Sequence, residues 1–156
     1  MKVLPSLILL VLVNYAYAAD TTKVGSCHDV LLPEVTMIVD NTICTEGPCV
    51  MSPGSDVSIL VSFDTPVKLE HIKPKLIATV GDVELEVSLG QDDACEGIVN
   101  TKCPVAAGEH VDYEHEQVLS DIYPEGVATL TSVLLDLDND GAEVICYTID
   151  VLIEKS

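Results

Sequence analysis

The sequence predicts an all-β protein built as an antiparallel two-sheet sandwich. Apolar runs of strand length recur between turn signals, and no segment keeps a helical period over three turns. The apolar residues are mostly Val, Leu and Ile, whereas aromatic residues make up only 4% of the chain. Aliphatic residues of this kind favour strands, and about seven short strands are typical of a sandwich. At 156 residues the chain is long enough for one domain and too short for two comfortable ones.

Six segments with turn signals between them predict individual strands. In chain order they are residues 56–63, 75–80, 83–89, 111–118, 127–137 and 144–153. The third alternates most cleanly, with four aliphatic residues on one face and Glu84, Glu86 and Ser88 on the other. We interpret this glutamate-bearing face as solvated. The fifth segment is apolar on both faces.

The first eighteen residues have the features of an export signal. Lys2 precedes an apolar run over residues 4–13, and Ala16 and Ala18 occupy the positions that a signal peptidase reads. We predict a signal peptide over residues 1–18 and a single mature domain over residues 19–156. The apolar run is shorter than the roughly 20 residues that a membrane span needs. The protein is therefore expected to be secreted and extracellular, and the absence of an N-glycosylation sequon makes the lysosomal lumen a less favoured destination.

All six cysteines lie in the predicted mature chain, and an even number in an exported protein indicates three disulfides. Six cysteines allow fifteen pairings. Two pairs are close in the sequence and suit tight loop closure, which would leave the first and last cysteines to join the chain ends. These pairs are Cys44 with Cys49, Cys95 with Cys103, and Cys27 with Cys146. A zinc site is less favoured, because neither close pair has the C-x-x-C spacing and no His-x-x-x-His motif accompanies them.

The charge of the chain excludes several classes of partner. The sequence contains 26 acidic residues, 7 lysines and no Arg, for a formal net charge of −19. It therefore lacks the basic surface of a nucleic-acid-binding protein and is not suited to electrostatic docking on anionic lipid headgroups.

Nothing in the sequence predicts catalysis, a cofactor or a metal site. No serine lies in a G-x-S-x-G motif, and the paired cysteines leave no thiol nucleophile. The four histidines are interpreted as solvent-exposed. Residues 136–141 resemble the beginning of a calcium loop, but Tyr147 stands where an EF-hand needs an acid. We interpret this segment as an exposed acidic hairpin turn.

Short motifs around the cysteines run in order along the mature chain. They are Gly47-Pro48-Cys49 with Ser52-Pro53-Gly54, a strand ending at Phe63, Asp93-Ala94-Cys95, Cys103-Pro104-Val105 with Gly108, and Tyr123-Pro124 followed by an acidic turn and Cys146. The intervals between the cysteines are 16, 4, 45, 7 and 42 residues. This combination resembles the ML lipid-recognition domain, a family that includes the Niemann-Pick type C2 sterol carrier, its insect relatives and the group 2 mite allergens. We expect an arthropod member of this family.

The resemblance implies the same three disulfides and an immunoglobulin-like sandwich whose sheets separate to form an internal hydrophobic cavity. The family's cavity aromatics fall on Phe63, Val87, Tyr113 and Tyr147. Val87 departs from the phenylalanine of the sterol carrier, and Val111 stands where many members have tyrosine. Fewer rings imply a wider cavity.

The alternation of apolar residues along the predicted strands indicates only an ordinary sandwich core. The prediction that some of these residues contact a ligand comes from the family resemblance alone. The predicted ligand-binding residues are Ile59, Val61, Phe63, Leu76, Val80, Leu85, Val87, Val105, Val111, Tyr113, Val133, Leu135, Tyr147, Ile149 and Val151.

These observations predict a secreted, monomeric, non-enzymatic carrier of a hydrophobic small molecule such as a fatty acid, a sterol or a semiochemical. We expect the protein to solubilise the lipid or to transfer it to a membrane or receptor acceptor, without stable membrane insertion. If a carboxylate binds, Lys68, Lys73, Lys75 and Lys102 are the candidate cations near the mouth. A multiply phosphorylated headgroup would lack a cationic clamp.

Two other classes remain open at this point. A protein-interaction sandwich, such as an immune-receptor accessory or adhesion-type module, would have a filled core and an exposed apolar patch. A helical six-cysteine odorant carrier is less favoured, because its cysteine intervals and amphipathic helices are absent from the sequence.

Overall fold

The protein folds into ten strands, which a computed structural model describes over residues 20–155. The predicted signal peptide and its cleavage site lie outside the described residues. The strands are β1 (Gly25–Ser26), β2 (Glu34–Val39), β3 (Thr42–Cys44), β4 (Cys49–Met51), β5 (Asp56–Asp64), β6 (Ile72–Val80), β7 (Val83–Val87), β8 (His110–Val118), β9 (Gly126–Asp136) and β10 (Ala142–Ile153). Single turns of 3₁₀ helix occur at Ala94–Gly97 and Leu137–Asn139. Within residues 20–155, the structure contains no helix that could span a membrane.

The strands form two sheets, and the predicted two-sheet sandwich is confirmed. One sheet has the strand order β1-β10-β9-β6-β7, with β4 paired to the end of β10, and the other has the order β3-β2-β5-β8. The pairs are antiparallel apart from β4 with β10, which run parallel. Strands β7 and β8 are thus edge strands of different sheets, and the 3₁₀ turn Ala94–Gly97 contacts β6 of one sheet and β8 of the other.

All six predicted strands are present, and the largest error lies at the start of β6. This strand begins at Ile72 rather than at Lys75, and it includes Pro74. Pairing with β7 starts only at Leu76, opposite Val87. Pro74 therefore lies where β6 has a neighbour on the β9 side alone, and its missing N–H removes no bond to β7.

The four strands before residue 52 were not predicted. Strands β1, β3 and β4 contain only two or three residues each, which is too short to show a period of two. Strand β2 is longer and lies between β3 and β5. Its sequence, EVTMIV, places Val35, Met37 and Val39 on one face and only one apolar residue, Ile38, on the other. This alternation is typical of a strand, and the sequence interpretation missed it.

The three predicted disulfides are confirmed. Cys27 follows β1 and is bonded to Cys146 in β10, while Cys44 and Cys49 close the loop between β3 and β4, which belong to different sheets. Cys95–Cys103 lies in the long connection between β7 and β8. No cysteine within the described residues is free. The disulfides therefore tie the first strand to the last and join the two sheets at one edge.

One end of the sandwich, here called the closed end, contains tightly buried aliphatic and aromatic side chains. Phe63 of β5 pairs with Val111 of β8, and both are at most 5% exposed. Leu69 and Val105 are fully buried and exchange two main-chain hydrogen bonds of 2.9 and 2.7 Å. This end of the core is packed as a sandwich normally is.

Candidate functional site: a cavity between the two sheets

The inward faces of the two sheets enclose a cavity of about 420 Å³. Ligand pockets in proteins commonly range from roughly 300 to 1,000 Å³. Most of the side chains around this cavity are aliphatic, and they come from β2, β4, β5, β6, β7, β9 and β10 as well as from β8. Sandwich cores are ordinarily close-packed, so an opening of this size is a specific feature of the fold.

Strand alternation aims these side chains inward. In β5 the odd-numbered residues Val57, Ile59 and Val61 line the cavity, while in β6 the even-numbered residues Leu76 and Ala78 line it from the other sheet. Successive side chains of a strand point to opposite faces, which explains why the predicted stripe on β5 faces the interior.

The cavity opens at the end of the sandwich opposite Phe63. Four large aliphatic side chains that line it are more than 40% exposed: Val80, Leu85, Ile122 and Val127. Val80 and Leu85 come from the β6–β7 hairpin, Ile122 comes from the connection between β8 and β9, and Val127 comes from the start of β9. We call these four residues the rim.

Two tyrosines place polar groups in the apolar wall. The Tyr113 hydroxyl donates a hydrogen bond of 2.6 Å to Oε1 of Gln91, and burial raises the pKa of Tyr113 above its usual value of 10.0. Burial raises the pKa of Tyr147 to about 12, and a hydrogen bond with Ser132 acts in the opposite direction. Both phenols therefore stay neutral near pH 7, and the wall around them carries no charge from these groups.

Two further polar residues, His115 and Gln117, face the cavity from β8. They continue the inward alternation of Val111 and Tyr113, and both are half-buried. The prediction that all four histidines are solvent-exposed is therefore wrong for His115. The sequence alternation along β8 did not indicate this position, because a polar residue interrupts the series of apolar residues that marks an inward face.

Nine of the fifteen predicted ligand-binding residues lie around the cavity. They are Ile59, Val61, Leu76, Val80, Leu85, Val87, Tyr113, Tyr147 and Val151.

The other six predicted residues do not line it. They are Phe63, Val105, Val111, Val133, Leu135 and Ile149. Phe63, Val105 and Val111 belong to the closed end, and Ile149 is buried in the core cluster between cavity-lining neighbours.

Val133 and Leu135 lie on the opposite face of β9 from the cavity. The inward residues of this strand include Ala128, Leu130, Ser132 and Leu134. Val133 is paired with Cys146 of β10, and paired residues point to the same face of a sheet. Cys146 is on the outer face, where it is bonded to Cys27. Because both faces of β9 are apolar, alternation could not assign the inward one.

The four candidate lysines do not lie at the mouth. Lys73 and Lys75 alternate with the inward residues of β6, so they are on its outer face, and Lys68 forms an exposed ion pair of 3.3 Å with Glu70. Lys102 is an exposed residue of the β7–β8 connection. Within residues 20–155, no lysine lines the cavity.

Carboxylates occur at the cavity instead. Glu86 and Glu125 both line it, and the carboxylate of Glu125 accepts a 2.7 Å hydrogen bond from the main-chain N–H of Lys155. Glu86 was predicted on a solvated outer face. It is exposed, but it also borders the cavity, because β7 is an edge strand whose far side is open.

Several lining residues were not predicted. Met37 and Met51 belong to the unpredicted strands β2 and β4, and Leu119 and Tyr123 belong to the connection between β8 and β9. Tyr123 belongs to the Tyr123-Pro124 motif of the family resemblance. No other sequence feature drew attention to the connection between β8 and β9.

The fold and the cavity define a disulfide-linked β-sandwich with room for an apolar molecule between its sheets. A model of the ML domain matches residues 21–153, and the chain belongs to the ML domain family. The predicted lipid-recognition family is thereby confirmed. The chain is 27% identical over 121 residues to the mite group 2 allergen Lep d 2 of Lepidoglyphus destructor, a match that covers 78% of this chain and 81% of the allergen.

Solved structures show the same fold at low sequence identity. A Niemann-Pick type C2 protein from the Japanese carpenter ant superposes with a TM-score of 0.68 at 16% identity, covering 85% of this chain and 99% of that one. The C-terminal domain of wzt superposes with a TM-score of 0.53 at 11% identity, covering 78% of this chain and 71% of that one.

Proposed function

We propose that the protein is a secreted, non-enzymatic carrier that holds the hydrocarbon part of a single lipid molecule between its two sheets. The observation that carries this proposal is the cavity of about 420 Å³, open at the rim and walled mainly by aliphatic side chains. Membership of the ML domain family supports the same conclusion.

The hydrophobic effect is sufficient to drive binding in such a cavity. Transfer of one methylene group out of water gains about 0.8 kcal/mol, so a chain of about 12 carbons gains about 10 kcal/mol in total. Association costs offset part of this gain, and we expect a dissociation constant in the micromolar range or below. The neutral phenols of Tyr113 and Tyr147 impose no charge on the bound chain.

The disulfides support secretion. All six cysteines are paired, and disulfides of this kind form and persist in oxidising compartments such as the extracellular fluid. The Cys44–Cys49 bond also joins β3 of one sheet to β4 of the other, so it holds the two sheets together at that edge independently of how the core is filled.

A protein-interaction sandwich is the second candidate. Exposed aliphatic residues such as Ile122, which is 77% exposed, favour an apolar contact surface. Ile122 and the other rim residues surround the opening of the cavity, however, and a path for an entering lipid explains their exposure together with the cavity.

The test is native mass spectrometry of the exported protein, with extraction of any lipid that co-purifies. We expect one lipid molecule bound to the wild type and none bound to the Val87→Asp variant, because Val87 lines the cavity and a carboxylate there would be desolvated by the hydrocarbon.

Val118→Asp is the matched control. Val118 is also a strand valine but is 59% exposed and lies outside the cavity, so this variant should retain the lipid. If both variants retain the lipid, the carrier function is contradicted. It is also contradicted if the wild type contains no lipid even after incubation with a fatty acid, an alcohol and a sterol.

A further inference from the structure

The cavity contains a polar pair, His115 and Gln117, near its open end. Nε2 of His115 lies 3.3 Å from Oε1 of Gln117. Within the part of the chain that the structure describes, this is the only side-chain hydrogen bond of either residue. The second ring nitrogen of His115 and the amide nitrogen of Gln117 can therefore bond to a ligand.

The register of β8 gives the position of this pair along the cavity. His115 is opposite Ile59 and Gln117 is opposite Val57, and both of these partners line the cavity. Tyr113 lies deeper, toward the closed end, where its hydroxyl is already bonded to Gln91. Three polar side chains lie on the inward face of β8. The two nearer the opening, His115 and Gln117, are the ones that still have unbonded donor or acceptor atoms.

The charges around the opening restrict the kind of polar group that fits. Glu86 and Glu125 both line the cavity, and no lysine within the described residues does so; the chain has no Arg. An anionic headgroup at this end would meet two carboxylates without a permanent cation to balance it, and burying an unpaired charge is costly.

A ligand without any polar group is also disfavoured at this position. A hydrocarbon that covers His115 and Gln117 removes them from water and leaves donors and acceptors unpaired, which costs more than a made hydrogen bond gains. A hydroxyl both donates and accepts, and it therefore matches a neighbouring imidazole and amide.

We propose that His115 and Gln117 form the headgroup subsite of this cavity and select a lipid with one uncharged hydroxyl group. Its chain lies toward the closed end, and its hydroxyl bonds to the second ring nitrogen of His115 and to the amide nitrogen of Gln117, leaving the bond between the two side chains intact. This inference rests on the proposed carrier function and adds to it the chemical class of the ligand.

The experiment compares 1-dodecanol, dodecane and dodecanoate at pH 8 by competition with a fluorescent apolar probe, N-phenyl-1-naphthylamine, on the full secreted protein. The quantity of interest is the ratio of the affinity for dodecanol to that for dodecane. In His115→Leu and in Gln117→Leu we expect this ratio to fall about five- to tenfold, because one hydrogen bond is lost while the apolar contacts remain. Dodecanoate should bind wild type at least tenfold more weakly than dodecanol.

Two variants serve as controls. His115→Gln keeps a hydrogen-bonding group at the site and should preserve most of the wild-type ratio. His110→Leu removes a histidine of the same strand that faces away from the cavity and bonds to Asp64 and Asp112, so it should leave the ratio unchanged. Retained dodecane binding shows that each variant is folded.

The outcomes separate the two proposals. If dodecane and dodecanol bind and the ratio is the same in wild type, His115→Leu and Gln117→Leu, the headgroup subsite is wrong and the carrier function stands. Dodecanoate binding as tightly as dodecanol also overturns the subsite. If none of the three ligands displaces the probe from the wild type, both proposals fail.

Discussion

Gly97 is the residue that lets the 3₁₀ turn Ala94–Gly97 lie directly against β8. A Cβ atom at this position would lie 2.6 Å from Cε2 of Tyr113 and 2.7 Å from the main-chain oxygen of Glu114. Contacts this short do not occur between real side chains and backbone. The absence of a side chain at Gly97 thus leaves the space that the Tyr113 ring occupies in the cavity wall.

We therefore expect Gly97→Ala to lower the free energy of unfolding by about 1–3 kcal/mol, because the backbone of β8 must shift to admit the methyl group. Chemical denaturation measures this change. Glu96→Ala, at an exposed neighbouring position in the same turn, is the control and should remain within about 0.5 kcal/mol of wild type. Equal stability of the two variants would contradict the close approach of the turn to β8.

At the scale of single strands, the faces of β5 and β10 could be predicted from the sequence and the inward face of β9 could not. The odd-numbered residues of β5 are apolar and most of the even-numbered ones are polar, so one face is marked by composition. In β9, by contrast, Val133 and Leu134 are both buried, on opposite faces. Only pairing with β10, whose outer face carries the disulfide at Cys146, decides that Leu134 points inward.

The face assignment of β6 leads to a direct test. Ala78 lines the cavity, and its neighbour Thr79 is on the opposite face of the same strand. We expect Ala78→Phe to reduce lipid binding at least tenfold, because the ring fills space that the ligand needs. The free energy of unfolding should change by less than about 1.5 kcal/mol, since room for the ring already exists.

Thr79→Phe adds the same ring to the outer face of β6 and should bind lipid like the wild type. Probe displacement and chemical denaturation on both variants measure the two effects. If Thr79→Phe impairs binding as strongly as Ala78→Phe does, the assignment of the cavity to this face of β6 is wrong.

For the whole molecule, the disulfides replace part of the stabilisation that a filled core would supply. Cys27 and Cys146 are separated by 119 residues, whereas Cys44 and Cys49 are separated by 5. In the chain-entropy model a disulfide stabilises more when it closes a longer loop in the unfolded chain. The link between the chain ends is therefore expected to contribute most.

We expect the double variant Cys27→Ala with Cys146→Ala to lose about 5 kcal/mol of unfolding free energy, and Cys44→Ala with Cys49→Ala to lose about 2 kcal/mol. Denaturation curves recorded without reductant measure both losses. An equal loss from the two double variants would show that loop length does not determine the contribution of these bonds.

The features that depend on local pattern or on counting could be predicted from the amino-acid sequence. The long strands follow from alternation between turn residues, the disulfides from an even number of cysteines and their spacing, and the family from the order of the motifs around them. These features need no knowledge of which strands become neighbours.

The division of the core into a filled end and a hollow end could not be predicted from the sequence and depends on how the two sheets pack. Phe63 and Ile59 occupy equivalent inward positions of β5, yet the first is packed in the closed end and the second lines the cavity. Likewise, the sequence predicts His115 at the surface, and only the position of β8 opposite the other sheet shows that its side chain lines the cavity. The separation of two sheets depends on contacts between residues far apart in the chain, and alternation along one strand carries no information about that distance.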